Sequence, residues 1–240
     1  MVSRSLSLAV SIAAAVSSVR GQNDSQTSLT LDTAVISTAF EHANEGGQYN
    51  FTASTTSSNN FINWCETTGL PLTNGTQVTT GSCNPAPMGA IPSQDKIPTS
   101  KFVTPLNFDE ICAGTTFPIS LAISNLVSGW SADVFDNFYA APQQLDADTG
   151  LIRGHAHFYI DSVGAYNSTT PVDALAFAFA GLASAPAVDG KLSGTVTGGL
   201  PVGVYRLASV IAAENHQPVL APLAAHGSID DIVYFTVKSC

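Results

Sequence analysis

Four short runs from residue 117 onward alternate with a period of two. In FPISLAI, Phe117, Ile119, Leu121 and Ile123 fall on one face. In HAHFYID, Ala156, Phe158 and Ile160 share a face, while His155, His157, Tyr159 and Asp161 share the other. In YRLASVI, Tyr205, Leu207 and Ile211 alternate with polar or small residues. In IVYFTV, Val233, Phe235 and Val237 oppose Ile232, Tyr234 and Thr236. Successive side chains of a strand point to opposite faces, so each run predicts a strand with one face for a core. Gly and Pro turns separate the runs, and no long amphipathic helix interrupts them. The pattern predicts an all-β fold, an immunoglobulin-like β-sandwich, over 61–240.

The text before the sandwich differs. From 61 to 116 it is turn chemistry, including Thr-Asn-Gly-Thr at 73–76 and Asn-Pro-Ala-Pro at 84–87. Residues 22–60 are polar and rich in Ser, Thr and Asn, and read as a flexible leader. Within it, Leu31, Val35, Ile36 and Phe40 have helical spacing, which allows one short helix. The segment DALAFAFAGLA (173–183) fits a strand by its alternation and a helix by its alanines.

Residues 1–21 read as a secretory signal peptide. Arg4 gives the positive start, Leu6 to Val16 the apolar stretch, and Val19 and Gly21 the small residues before a cut at Gln22. The apolar run falls well short of the ~18–20 residues of a membrane span. Export predicts an extracellular protein. Four Asn-x-Ser/Thr triplets, at Asn23, Asn50, Asn74 and Asn167, are then glycosylation candidates. The four cysteines, Cys65, Cys83, Cys112 and Cys240, contain no CxxC pair, so disulfides are expected rather than a thiolate metal site. Cys65–Cys83 would close a local, turn-rich loop, which leaves Cys112–Cys240 to tie down the last strand.

Charge narrows the partners. Eight basic residues face 18 acidic ones, for a net charge of −10. The few Lys and Arg are scattered, so neither nucleic acid nor an anionic membrane surface is an expected partner. Catalytic signatures are absent as well: no GxSxG, P-loop, GxGxxG or HExxH occurs. A histidine-brace site needs histidine at the mature N-terminus, where Gln22 is expected. The acid pairs Asp109–Glu110 and Asp230–Asp231 point to opposite strand faces and read as turn acids. Trp64 and Trp130 could form a sugar platform, although Trp64, beside Cys65, fits better as disulfide-packed core.

One constellation carries chemistry. His155 and His157, two apart on a strand, present both imidazoles on one face. His216 follows the strand that ends near Ala213 and can reach the same sheet end, and His226 is a fourth candidate. Neutral imidazoles suit Zn or Cu, with Asp161 or Glu214 available to complete or orient the set. The competing reading is a polar network in which the rings satisfy loop carbonyls.

The stretches NNFINWC, GLIRGHAHFYID, LPVGVYRLAS, ENHQPVLAPLAAHG and DDIVYFT resemble a family of small secreted fungal proteins, often labelled "ribosomal protein s17" in basidiomycete gene sets. An acidic, Lys-poor chain with a leader does not suit ribosomal RNA, so that label looks spurious. The resemblance covers roughly 61–237 and implies a secreted fungal protein with no transferable activity or cofactor. Both histidine positions match the family pattern, while Ala156 and Phe158 depart from its neighbouring residues. The expected function is therefore a non-enzymatic fungal protein of the cell surface, matrix or host interface, with a cell-wall or host-surface partner. The alternative is an extracellular metal-binding protein using His155, His157 and His216.

Overall fold

A computed structural model describes residues 25–41 and 55–240. The expected signal peptide, Asn23, His42 and Asn50 lie outside the described residues. A division between compact units falls between Ile62 and Asn63.

The first unit has no α-helix among its described residues. Two 3-10 turns, Thr33–Val35 and Thr38–Phe40, stand where helical spacing suggested a short helix. Ile36 between them is extended, at φ −71° and ψ 124°. The run Thr33, Val35, Ile36, Thr38 is β-branched and loses side-chain freedom in an α-helix, so the turns do not merge. Asp32 caps the first by accepting from Ala34 N at 2.8 Å. Asn60 ties the segment by donating to Val35 O at 2.6 Å.

The second unit is the predicted sandwich. Its strands are β1 (Thr99–Thr104), β2 (Glu110–Cys112), β3 (Phe117–Ser124), β4 (Leu126–Ser128), β5 (Ile152–Ser162), β6 (Phe179–Ala183), β7 (Lys191–Val196), β8 (Gly203–Ala213) and β9 (Ile232–Lys238). One sheet has the order β1-β3-β7, the other β2-β9-β8-β5-β4, with β6 also on β5. The four alternating runs are the centres of β3, β5, β8 and β9, and the ambiguous 173–183 segment becomes a strand only from Phe179.

The apolar face of each run points inward as expected. Phe102, Ile119, Leu121 and Leu192 of the small sheet meet Phe158, Ile160, Leu207 and Phe235 of the large one. Phe102 packs on Phe158 at 6.1 Å between ring centroids, and Phe117 on Phe235 at 5.9 Å. Each such side chain stabilises by roughly 1.5–3 kcal/mol through burial. The immunoglobulin-like character has a local marker. Tyr205, near the start of β8, is buried and donates its hydroxyl to Pro201 O at 2.9 Å. This is the tyrosine corner typical of such sandwiches.

Both expected disulfides form, Cys65–Cys83 and Cys112–Cys240. The second joins β2 to the chain just beyond β9, strands that already pair in parallel. Trp64 corrects an expectation: at 48% exposure it is a surface residue and not core. It sits in the 3-10 turn Trp64–Thr67, whose single turn has no buried face to offer an indole.

Replacing Tyr205 with Phe tests the corner. It removes a neutral hydrogen bond and leaves Pro201 O without that donor, at a cost of about 1 kcal/mol. The expected outcome is a lower denaturant midpoint with an unchanged m-value in an equilibrium unfolding curve.

Candidate metal centre

The core register of β5 fixes what its outer face presents. With Ala156, Phe158 and Ile160 inward, His155 and His157 must point away from the core. Gly154 sets the approach on the β8 side: a Cβ there would lie 2.1 Å from Ala212 O, so only glycine permits the close pairing. On the other edge, β4 pairs with residues 152–154 and β6 with 156–160. His155 therefore sits at the junction where one neighbouring strand gives way to the next. Segment 130–132 crosses there, starting with Trp130 N donating to Gly154 O at 3.3 Å.

His216 arrives from the turn after β8. His216 N donates to Ala213 O at 2.8 Å and Ala213 N to Gln217 O at 2.9 Å, which closes the turn. His216 itself is left-handed, at φ +71°, a conformation uncommon for a residue with a Cβ. Buried Asn215 holds the turn by donating to Ala141 O at 2.5 Å and to Gln217 Oε1 at 2.7 Å.

The three rings converge. His155 Nε2 lies 3.1 Å from His157 Nε2 and 3.0 Å from His216 Nδ1, and the last two are 3.4 Å apart. The opposite nitrogens of two rings face backbone carbonyls. His155 Nδ1 is 2.9 Å from Trp130 O, and His216 Nε2 is 2.8 Å from Ala132 O. A carbonyl only accepts, so those nitrogens carry the protons. In the neutral rings, His155 Nε2 and His216 Nδ1 then present lone pairs to each other at 3.0 Å. A single proton on His157 Nε2 cannot satisfy both. A cation held by all three can. The carbonyls meanwhile fix ring orientation and tautomer, as partners of metal-bound histidines do.

The separations also define a geometry. With a metal–nitrogen distance of ~2.0–2.1 Å, tetrahedral ligands stand ~3.3 Å apart, right-angle ligands ~2.9 Å and opposite ligands ~4.1 Å. Values of 3.0–3.4 Å match three ligands on one face of an ion, and no pair stands opposite. Burial adds to this. It lowers the pKa of His155 and of His157 to about 4, with neighbouring rings acting in the same direction. Both rings are neutral at pH 7, the state a metal requires.

The remaining sequence candidates lie elsewhere. Asp161 is bound by Arg206, at 2.7 and 3.2 Å from two guanidinium nitrogens, in register across β5 and β8. Glu214 contributes no oxygen to the converging group, which among the described residues consists of the three histidines. His226 is exposed and contacts Gly227 O. Asp231 belongs to the framework, accepting from Lys101 Nζ and Phe102 N, both at 2.8 Å. The Trp130 ring is covered by the Arg153 guanidinium at 4.2 Å, which removes that face from a sugar platform. Asn74 and Asn167 are exposed, as glycosylation requires. Among the described residues no helix is long and apolar enough to cross a membrane.

Fold and site together define an immunoglobulin-like sandwich with three converging histidines on the outer face of its larger sheet. The chain belongs to the CLU5d N-terminal domain family, whose model matches residues 100–238, all three histidines included. It is 43% identical over 182 residues to Pathogenicity cluster 5 protein d of Colletotrichum graminicola, across 74% of this chain and 37% of that protein. The chain thus spans little more than a third of its relative's length. It also resembles the fibronectin(III)-like modules of Clostridium thermocellum CbhA, at 13% identity and a TM-score of 0.30, over 59% of this chain and 47% of theirs. The family match and the Colletotrichum relative identify a fungal family.

The lowered histidine pKa values give a pH signature. Between about 4 and 6.5 the unfolded chain binds protons that folded His155 and His157 refuse, so stability falls as pH falls. Calorimetry in excess chelator should show full stability above pH 6.5 and a declining Tm toward pH 4. His157→Asn should flatten that decline.

Proposed function

We propose that this chain is an extracellular fungal protein of the host interface whose sandwich carries a three-histidine divalent-metal centre. The observation that carries the metal reading is the 3.0 Å approach of two ring nitrogens whose tautomers are fixed by Trp130 O and Ala132 O. The facial set suits Zn, which takes three protein ligands and keeps one position open. Cu(II) in tetragonal geometry would want an opposite pair.

The place of action rests on other grounds. The signal-like N-terminus, two disulfides and two exposed sequons suit an oxidising exterior. The relative's name associates the family with pathogenicity. A pathogenicity protein outside the cell works at a cell surface, in a matrix or on a host. In this reading the metal centre is a binding site and no catalytic step is assigned to it.

The test is metal content and melting of protein secreted from a eukaryotic host. About one equivalent of zinc is expected. At a hundredfold excess over Kd, zinc should add about 2.7 kcal/mol, which raises Tm by roughly 5–10 °C. His157→Ala, at a half-exposed position, should abolish both effects while keeping the metal-free Tm within a few degrees. Wild-type protein that melts identically with and without zinc or copper would refute the metal reading.

A further inference from the structure

The surroundings of the three histidines bear on what fills the open coordination position. His155 is 0% exposed and His216 8%, so both are closed off by the sheet and by segment 130–132. Only His157 is half-exposed. Any exogenous group must reach the three nitrogens past His157. The residues directly opposite His157 in the sheet are Leu182 of β6 and Val210 of β8. Both stand on its face, within about 5 Å between Cβ atoms. They are 52% and 38% exposed. Tyr159 stacks on His157 at 6.0 Å, and Phe177 packs on Tyr159 at 5.8 Å. The way in is therefore rimmed by aliphatic and aromatic side chains.

Asp161, the acid on the same face of β5, is committed before any ion arrives. It is paired with Arg206 at 2.7 Å, and Glu214, whose backbone N donates to Arg153 O at 3.0 Å, contributes no oxygen to the converging group. All three ligands are neutral, and their outer partners are uncharged carbonyls. No carboxylate oxygen joins the converging group among the described residues. A dication held here keeps its full charge in a half-buried setting, where an uncompensated charge is costly. The arrangement calls for an anion at the open position and an apolar body behind it.

We infer that the metal-loaded site binds an organic carboxylate carried on an apolar or aromatic body, its oxygen on the metal and its body across Leu182, Val210 and Phe177. This rests on the metal reading above. The charged head satisfies the dication, and the body covers apolar surface that otherwise faces water.

The experiment is a calorimetric titration of the zinc-loaded full chain with benzoate, acetate and benzamide. Benzoate should bind at least tenfold more tightly than acetate, because its ring buries apolar area that acetate lacks. Benzamide, with the same ring and no charge, should bind at least tenfold more weakly than benzoate. Chelator-treated protein should bind none of them. Leu182→Ser should narrow the benzoate-to-acetate ratio while zinc affinity stays unchanged. Zinc binding with benzoate no tighter than acetate, or with benzamide equal to benzoate, overturns this inference and leaves the metal reading standing. Failure to bind zinc removes both.

Discussion

The register of β5 against the opposing sheet governs everything else in the domain. Phe158 is pressed against Phe102, with Ala156 and Ile160 on either side, and all are almost wholly removed from water. Side chains on a strand alternate strictly, so fixing these three inward fixes His155 and His157 outward. A slip of one residue would drive two imidazoles into the apolar interior and expel Phe158, which no local gain could offset. The core thereby aims the histidines without touching them. The same alternation on β8 turns Leu207 and Ile211 inward and leaves Val210 beside His157.

Much of this was legible in the sequence, for a physical reason. Strand alternation is a local property, so β3, β5, β8 and β9 announce themselves, and with them the shared face of His155 and His157. The cysteine pairs were legible too, since one closes a turn-rich loop and the other two cysteines remain. What was hidden depends on contacts distant along the chain. The carbonyls of Trp130 and Ala132 orient two rings, yet a backbone acceptor leaves no trace in residue identity. Only the turn Glu214-Asn215-His216-Gln217-Pro218 hints at a held loop, through an Asn that caps its own turn. The 31–40 segment misled because helical spacing says nothing about the β-branched crowding that breaks it. Trp64 misled because standing next to a disulfide cysteine in sequence does not bury an indole.

The three histidines also differ in how firmly the fold holds them. His155 and His157 ride on a central strand paired on both edges over most of its length. His216 rides on a turn with a left-handed residue, and its position depends on Asn215 reaching Ala141 and on Ala132 N reaching Glu214 O at 2.8 Å. Such a turn stores local strain that surrounding contacts must hold in place. The group is thus two rigidly held rings plus one set by loop packing, and the turn that carries the third is held by the segment that supplies both carbonyls. An ion bound by all three would join β5, the 213–218 turn and segment 130–132 into one unit.

That division of labour separates stability from chemistry. The sandwich buries its apolar residues on one side of the large sheet, and the tyrosine corner and the Cys112–Cys240 disulfide brace it. The histidines stand on the other side, where substitutions leave the core untouched. Two facing lone pairs at 3.0 Å cost energy unless something positive lies between them. In a network built only for stability, one ring would rotate or protonate to donate. Here both rings are pinned by carbonyls that demand their only protons, and burial opposes adding more. The arrangement therefore keeps three ring nitrogens aligned at a local cost in stability, which is what the proposed metal centre requires.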